Sequence, residues 1–389
     1  MNVKDKILIF IDMEMILRHF IANETFKELN KNYDLVYVFN NDRYNFKKNK
    51  IVRDHISSEK IRITNIPRSR IGLWFYLYIT TVLRQQRGTK NFSARIRQEY
   101  LRLGRRNVIL ALIAGLPIVY HIFRFLFVRK MGIHSSVTEI IKKEKPKIII
   151  HPSILQGYYV NELIRYTVED DSSIPLIFLM NSWDNPSAKA FCSGSPSKLV
   201  VWGEQSKNHA IEYMKMNPQN IECFGAAQFE IYKQETKFTR QELCDFFKVD
   251  KSKRIILYAG AGHGKYESLY LELLDSYIKN GSLPDCHVIY RPHPWRGGLG
   301  EGERDFFSLN LQNITMDPTM SDYYRKDIEK PSNNMFLTDY RNTRDLLTLV
   351  DGVISPLSTM LVESIINGKP ILMFFPERQY SSDFAIDEI

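Results

Sequence analysis

The chain has 389 residues, 44% of them hydrophobic and 25% charged, with 53 Lys and Arg against 44 Asp and Glu. That length suits two domains better than one core, and the composition excludes disorder over any large part. The net charge of +9 favours anionic partners, whether nucleic acid, lipid or phosphorylated substrate. Cys192, Cys223, Cys244 and Cys286 are widely spaced without a CxxC pair. This excludes a zinc knuckle or a disulfide scaffold and fits a reducing cytosol. An acidic residue interrupts the first apolar run almost at once, so no signal peptide is visible.

Residues 6–11 (KILIFI) form a short apolar, β-branched run that leads into a helical pattern at Ile16, Leu17, Phe20 and Ile21. Further strands are expected at 34–39, 61–64, 147–150 and 175–180, separated by helical stretches, which is the rhythm of βα units and a parallel sheet. A second series follows at 198–202, 254–259, 287–290, 352–354 and 370–375, with helices at 267–279 and 359–367. The Ser-, Pro- and Gly-rich stretch 185–198 reads as the join between two α/β halves.

Residues 68–130 break the rhythm. Eight arginines and lysines from Arg84 to Arg106 are interleaved with Trp74, Phe75, Tyr76 and Tyr78 upstream and precede the apolar run 108–128. About 20 apolar residues suffice to cross a bilayer, but Pro117, His121 and Arg124 oppose a span because a mid-span charge is costly. A basic and aromatic helical surface on an anionic membrane is the leading reading. Core helices flanked by solvated charge are the alternative. Nucleic acid would not call for this apolar block.

Three motifs carry chemistry. Strand 254–259 runs into a glycine-rich loop with Gly260, Gly262, His263 and Lys265, where backbone N–H groups and a following helix N-terminus suit a phosphate. The Walker A spacing is missing. Strand 287–290 ends in Arg291-Pro292-His293-Pro294, which presents a bidentate cation and an imidazole at the carboxyl end of a strand. Strand 352–354 leads into Ser358 and Thr359 at a helix start, with Glu363 one turn later, Gly368 ending the helix and Pro370 opening the next strand.

This strand with an HP dipeptide, followed by Ser-x-x-Ser-Thr-x-x-x-Glu-(x)4-Gly-Lys-Pro, resembles the donor half of bacterial surface and capsular polysaccharide glycosyltransferases of GT-B fold. It is similar to the CDP-glycerol glycerophosphotransferase, Kdo-transferase and bacterial sialyltransferase groups. Segments 181–185 (NSWDN), 201–205 (VWGEQ) and 223–229 (CFGAAQF) also match such proteins, although Gln228 and Glu230 flank Phe229 where the family carries a Phe-Asp pair.

The resemblance implies an α/β protein of GT-B type, with two Rossmann-like domains facing a central cleft. An acceptor-side domain would cover 1–190, with a helical insert at about 68–135, and a donor domain 191–389. His293, Ser358 and Thr359 inherit phosphate-binding roles and Glu363 a ribose role. Asp12 and Glu14 follow the first strand and Asp184 follows another, so these are the candidate bases for an acceptor hydroxyl. No Asp-x-Asp motif or metal-ligand cluster stands out, and Lys265, Arg291 and His293 would neutralise a leaving diphosphate.

The expected activity is metal- and cofactor-independent transfer of a sugar or polyol phosphate. The donor would be CMP-, CDP- or UDP-linked and the acceptor a surface glycan or lipid-linked molecule, at the cytoplasmic face of the membrane. A UDP-GlcNAc 2-epimerase-type enzyme and a non-catalytic glycan- or lipid-binding protein are the alternatives. GT-B chains usually end in a segment crossing back to the first domain. None is evident before Ile389, so truncation is expected.

Overall fold

The computed structural model describes residues 4–41, 49–90, 92–153, 155, 157–169, 173–182, 186–187, 194–260, 266–294, 298–299, 302–331 and 338–374. The chain divides into two compact units, 1–228 and 229–387.

The first unit is built on a seven-stranded parallel sheet. Its strands are β1 (Lys6–Ile11), β2 (Asp34–Asn40), β3 (Ile61–Thr64), β4 (Ile148–Ser153), β5 (Leu176–Met180), β6 (Lys198–Val201) and β7 (Ile221–Cys223). They lie in the order β3-β2-β1-β4-β5-β6-β7. Side chains of β1 alternate between two cores, as the two-residue period of a strand demands. Leu8 and Phe10 pack with Val36, Val38 and Phe178 on one face. Ile7, Ile9 and Ile11 pack with Leu35 and Phe39 on the other. A strand buried on both faces needs an apolar residue at every position, which explains the unbroken KILIFI run.

The second unit contains β8 (Arg254–Ala259), β9 (Cys286–Arg291), β10 (Ile314–Met316), β11 (Gly352–Ser355) and β12 (Ile371–Met373). They form a parallel sheet in the order β10-β9-β8-β11-β12. Strands β7 (IEC) and β10 (ITM) lack the longer apolar runs that mark the other strands, and the sequence does not announce them.

The expected join at 185–198 is corrected. Lys198–Val201 pairs with β5, and Ile221–Cys223 pairs with Lys198–Val201. Both therefore extend the first sheet, and the division falls between 228 and 229.

The insert is a set of helices, Arg68–Gln85, Phe92–Leu103, Arg105–Ala114 and Pro117–Met131, sharing a small core of Trp74, Leu77, Tyr78, Val82, Val108 and Tyr120. It is fastened by Glu162, which is fully buried. Glu162 accepts from Arg70 Nε at 2.5 Å, Trp74 Nε1 at 3.1 Å and the His134 N–H at 2.8 Å. Among the described residues no single helix is long and apolar enough to cross a membrane. The pair Arg105–Ala114 and Pro117–Met131 passes by length and composition only when joined, and is bent by 100°. Its outer side chains remain uncovered, Ile118 being 77% and Phe125 61% exposed.

Candidate functional site

In an open parallel sheet ligands bind beyond the carboxyl ends of the strands, where the strand order reverses. In the second unit that point lies between β8 and β11, with β9 beside β8. Ala259 pairs with Arg291 and Tyr258 with Ile354, so Gly260, the Arg291–His293 segment and Ser355–Thr359 all leave the same sheet edge. Ser355 is buried and its hydroxyl donates to Ala259 O at 2.9 Å, tying the β11 end to the β8 end.

Gly260 donates to Arg291 O at 2.9 Å. A Cβ at this position would lie 2.5 Å from Glu267 Oε1, and that carboxylate is buried and accepts from Tyr290 Oη at 2.5 Å. Only glycine lets the strand end pass so close. Gly262, His263 and Lys265 lie outside the described residues.

Ser358 is the N-cap of helix Thr359–Ile366 by position, with extended backbone, yet its side chain makes no capping bond. Its hydroxyl meets Ser355 Oγ at 2.9 Å instead. No hydroxyl from Ser358 therefore occupies the first N–H groups of this helix, whose partial positive charge suits an anion.

Glu363 is not on a solvated face. It is buried and accepts from Tyr232 Oη. Burial, then the Glu363 carboxylate, pushes the Tyr232 hydroxyl well above its ordinary pKa, so it remains a donor. Half-buried His293 stands just past β9.

Arg291 departs from the reading in which it grips phosphate. It is buried. Its Nη2 donates to Thr338 Oγ1 at 2.5 Å and Thr343 Oγ1 at 3.0 Å, and Nη1 lies 3.6 Å from Asp317 Oδ2. The protein itself engages the guanidinium, which fastens the β9 end to helix Tyr340–Leu349.

In the first unit the order reverses between β1 and β4. Asp12, just past β1, is 2% exposed and approaches His151 of β4, Oδ2 to Nε2 at 3.0 Å. The other ring nitrogen meets Phe10 O at 2.9 Å, and the Tyr158 N–H donates to Asp12 Oδ1 at 3.2 Å. The Phe10 carbonyl can only accept, so His151 Nδ1 donates to it. Gly157, at φ +126°, would place a Cβ 2.4 Å from Asp12 Oδ2. Among the described residues Asp12 is thus enclosed rather than exposed on a loop. This buried setting differs from the solvent-facing carboxylate expected there.

Glu14 opens a short helix and lies 3.5 Å from Asn49 Nδ2. His19, which the sequence reading passed over, is buried and its Nδ1 lies 2.5 Å from Asn181 Oδ1. Burial, and then Arg18, lower its pKa to about 3, so the ring is neutral. Asp184 lies outside the described residues. Among the described residues no group of three or more His, Cys, Asp or Glu side chains is arranged to hold a metal ion.

No protein-family model and no curated protein matches the chain. A structure from Listeria monocytogenes assigned as a UDP-N-acetylglucosamine 2-epimerase is similar to it at a TM-score of 0.50 and 11% identity, over 97% of this chain and 81% of that one. The chain has the GT-B fold. A glycosyltransferase from Rickettsia africae is similar at a TM-score of 0.45 and 12% identity, over 96% and 79%. A wall teichoic acid polymerase is similar at 0.44 and 12%, over 98% and 74%. The GT-B likeness concerns the path of the backbone, and the site residues stand on their own geometry.

Proposed function

We propose that this protein is a glycosyltransferase that moves a sugar or polyol phosphate from a nucleotide-activated donor to a cell-surface glycan or lipid-linked acceptor. The observation that carries the reading is the second sheet's carboxyl edge. A glycine strand end, His293 and an uncapped eight-residue helix converge there, at the strand-order reversal. In this reading His293, Ser358, Thr359 and the glycine loop 260–265 hold the donor phosphates. Glu363, oriented by Tyr232, takes the ribose. Asp184 is the candidate base, and Asp12 and His151 hold the ends of β1 and β4 together.

A nucleotide-sugar epimerase shares the fold. The helical insert favours transfer, because a soluble small-molecule reaction gives no use for its surface. Between 68 and 131 there are thirteen Lys and Arg and one Glu, a charge of +12 in a chain whose total is +9. With Ile118, Ile122, Phe125 and Leu126 outermost, this surface suits contact with the anionic cytoplasmic face of a membrane.

Thermal-shift measurement against CMP, CDP, UDP and GDP tests the donor site, since a ligand that binds only the folded state raises its stability. One nucleotide should stabilise the protein, and His293→Ala should weaken that response. No response to any nucleotide would sink both enzyme readings and leave the non-catalytic alternative. With the responding nucleotide's sugar conjugates, incorporation of label into a membrane extract supports transfer. Interconversion of the free donor sugar, read by NMR, would replace transfer with epimerisation.

A further inference from the structure

The first unit holds a cavity of about 490 Å³ whose lining includes no residue of β1 or β4. Its size falls in the range of small-molecule sites, roughly 300–1,000 Å³. The cavity sits where the Arg68–Gln85 helix ends, where the bend at Gly115–Pro117 separates the two apolar helices, and where helix Glu204–Met214 ends. Three lining residues are cationic, Arg84, Arg87 and Lys215, and none is acidic. None of the three has a carboxylate partner among the described residues.

The walls are set by internal bonds. The Arg84 guanidinium lies 4.6 Å from the centre of the Tyr120 ring, and the Tyr120 hydroxyl meets Thr81 Oγ1 at 2.9 Å. Gln85 Nε2 donates to Met214 O at 3.2 Å, joining two of the helix ends. Three helix carboxyl ends and one amino end border the cavity, and their partial charges come to about −1. The side chains contribute three positive charges, so the cationic side chains win and the cavity favours an anion.

The ridge beside it is apolar. Ile113, Leu116 and Ile118 flank the bend at 51%, 41% and 77% exposure. A cationic hollow next to an uncovered apolar ridge matches an amphiphile with a phosphorylated head. We infer that this cavity is a binding site for the phosphate or diphosphate head of the acceptor, its hydrocarbon part lying along the Arg105–Ala114 and Pro117–Met131 helices. The inference rests on the transferase reading for the word acceptor, and on the cavity alone for phosphate binding. The phosphate chemistry is shared by a lipid phosphate and a water-soluble phosphorylated glycan.

The test compares the whole protein with two variants of equal charge. One is Arg84→Gln/Arg87→Gln/Lys215→Gln. The other is Arg97→Gln/Arg106→Gln/Arg129→Gln, whose arginines do not line the cavity. Each must first show the thermal midpoint of the parent. If the triple cavity variant does not fold, Lys215→Gln alone is used against Arg97→Gln.

Vesicles of phosphatidylcholine carrying phosphatidic acid present a terminal phosphate monoester, and vesicles carrying phosphatidylglycerol present only a diester. The cavity variant should bind the phosphatidic acid vesicles about tenfold or more weakly than the control variant, since a charge-assisted contact is worth 1.4 kcal/mol or more. On phosphatidylglycerol the two variants should match. Inorganic diphosphate separates the sources. A thermal shift that the cavity variant loses points to a head recognised without its lipid, and vesicle discrimination without that shift points to a membrane lipid.

Equal losses by both variants on phosphatidic acid, with no shift by diphosphate, would overturn the site in favour of diffuse surface charge. Nucleotide stabilisation is measured alongside. Its absence with vesicle discrimination intact would remove the transferase reading and leave the phosphate site standing.

Discussion

Asp12 meets His151 inside the first sheet, and that contact decides what a substitution does. Asp12→Ala removes the carboxylate that accepts from the Tyr158 N–H and lies 3.0 Å from His151 Nε2. The expected cost is about 2–4 kcal/mol in urea unfolding, whereas a solvated loop carboxylate would cost almost nothing. His19 gives a pH signature. Its folded pKa of about 3 lies below the ordinary 6.5, so the unfolded chain takes up a proton that the folded one refuses. Its contribution is therefore complete above pH 6.5 and declines as pH falls from there toward 3, by up to about 1.4 kcal/mol per unit. His19→Gln should flatten this part of the stability profile relative to the parent. Parallel profiles would show that the ring does not titrate in this way.

Helix Thr359–Ile366 begins without a hydroxyl cap. Ser358→Ala should therefore change stability by less than about 0.5 kcal/mol, where loss of a true cap costs about 1, yet should weaken nucleotide binding. A full capping loss with unaltered binding would reverse the assignment. Where β8 ends, Gly260→Ala forces a methyl against Glu267, and we expect about 1–3 kcal/mol of destabilisation. The insert depends on one carboxylate. Glu162→Ala strands Arg70 among buried groups, and about 3–5 kcal/mol should be lost. Protease cleavage within 68–131 should appear first, because the contacts removed are those that fasten this segment.

At the scale of the whole molecule, the placement of β6 and β7 sets where the chain can be divided. A fragment of residues 1–228 keeps all seven strands and should unfold cooperatively in urea. A fragment ending at 190 exposes the β5 edge, an open template for association, and should aggregate. The reverse outcome would move the boundary back to the Ser- and Gly-rich stretch. That composition misled because turn-forming residues mark any connection, and here the stretch joins β5 to β6 of one sheet.

Much of this architecture is local in origin. Runs such as KILIFI and RIILYA must be buried on both faces, and a strand–glycine–helix succession has few ways to fold, so the α/β class and most strands follow from the residues alone. The positions of Gly260, His293 and the Thr359–Ile366 helix were legible for the same reason, because each follows a strand. Partners far apart in sequence were not legible. Arg291 turns toward Thr338 and Thr343, Asp12 toward His151, and Glu363 toward Tyr232, and no spacing rule predicts a pairing across tens or more of intervening residues. Residue order alone shows which strand ends bear polar chemistry. Which of those side chains are taken up by buried partners follows from the packed fold, because burial is a property of what packs around a residue.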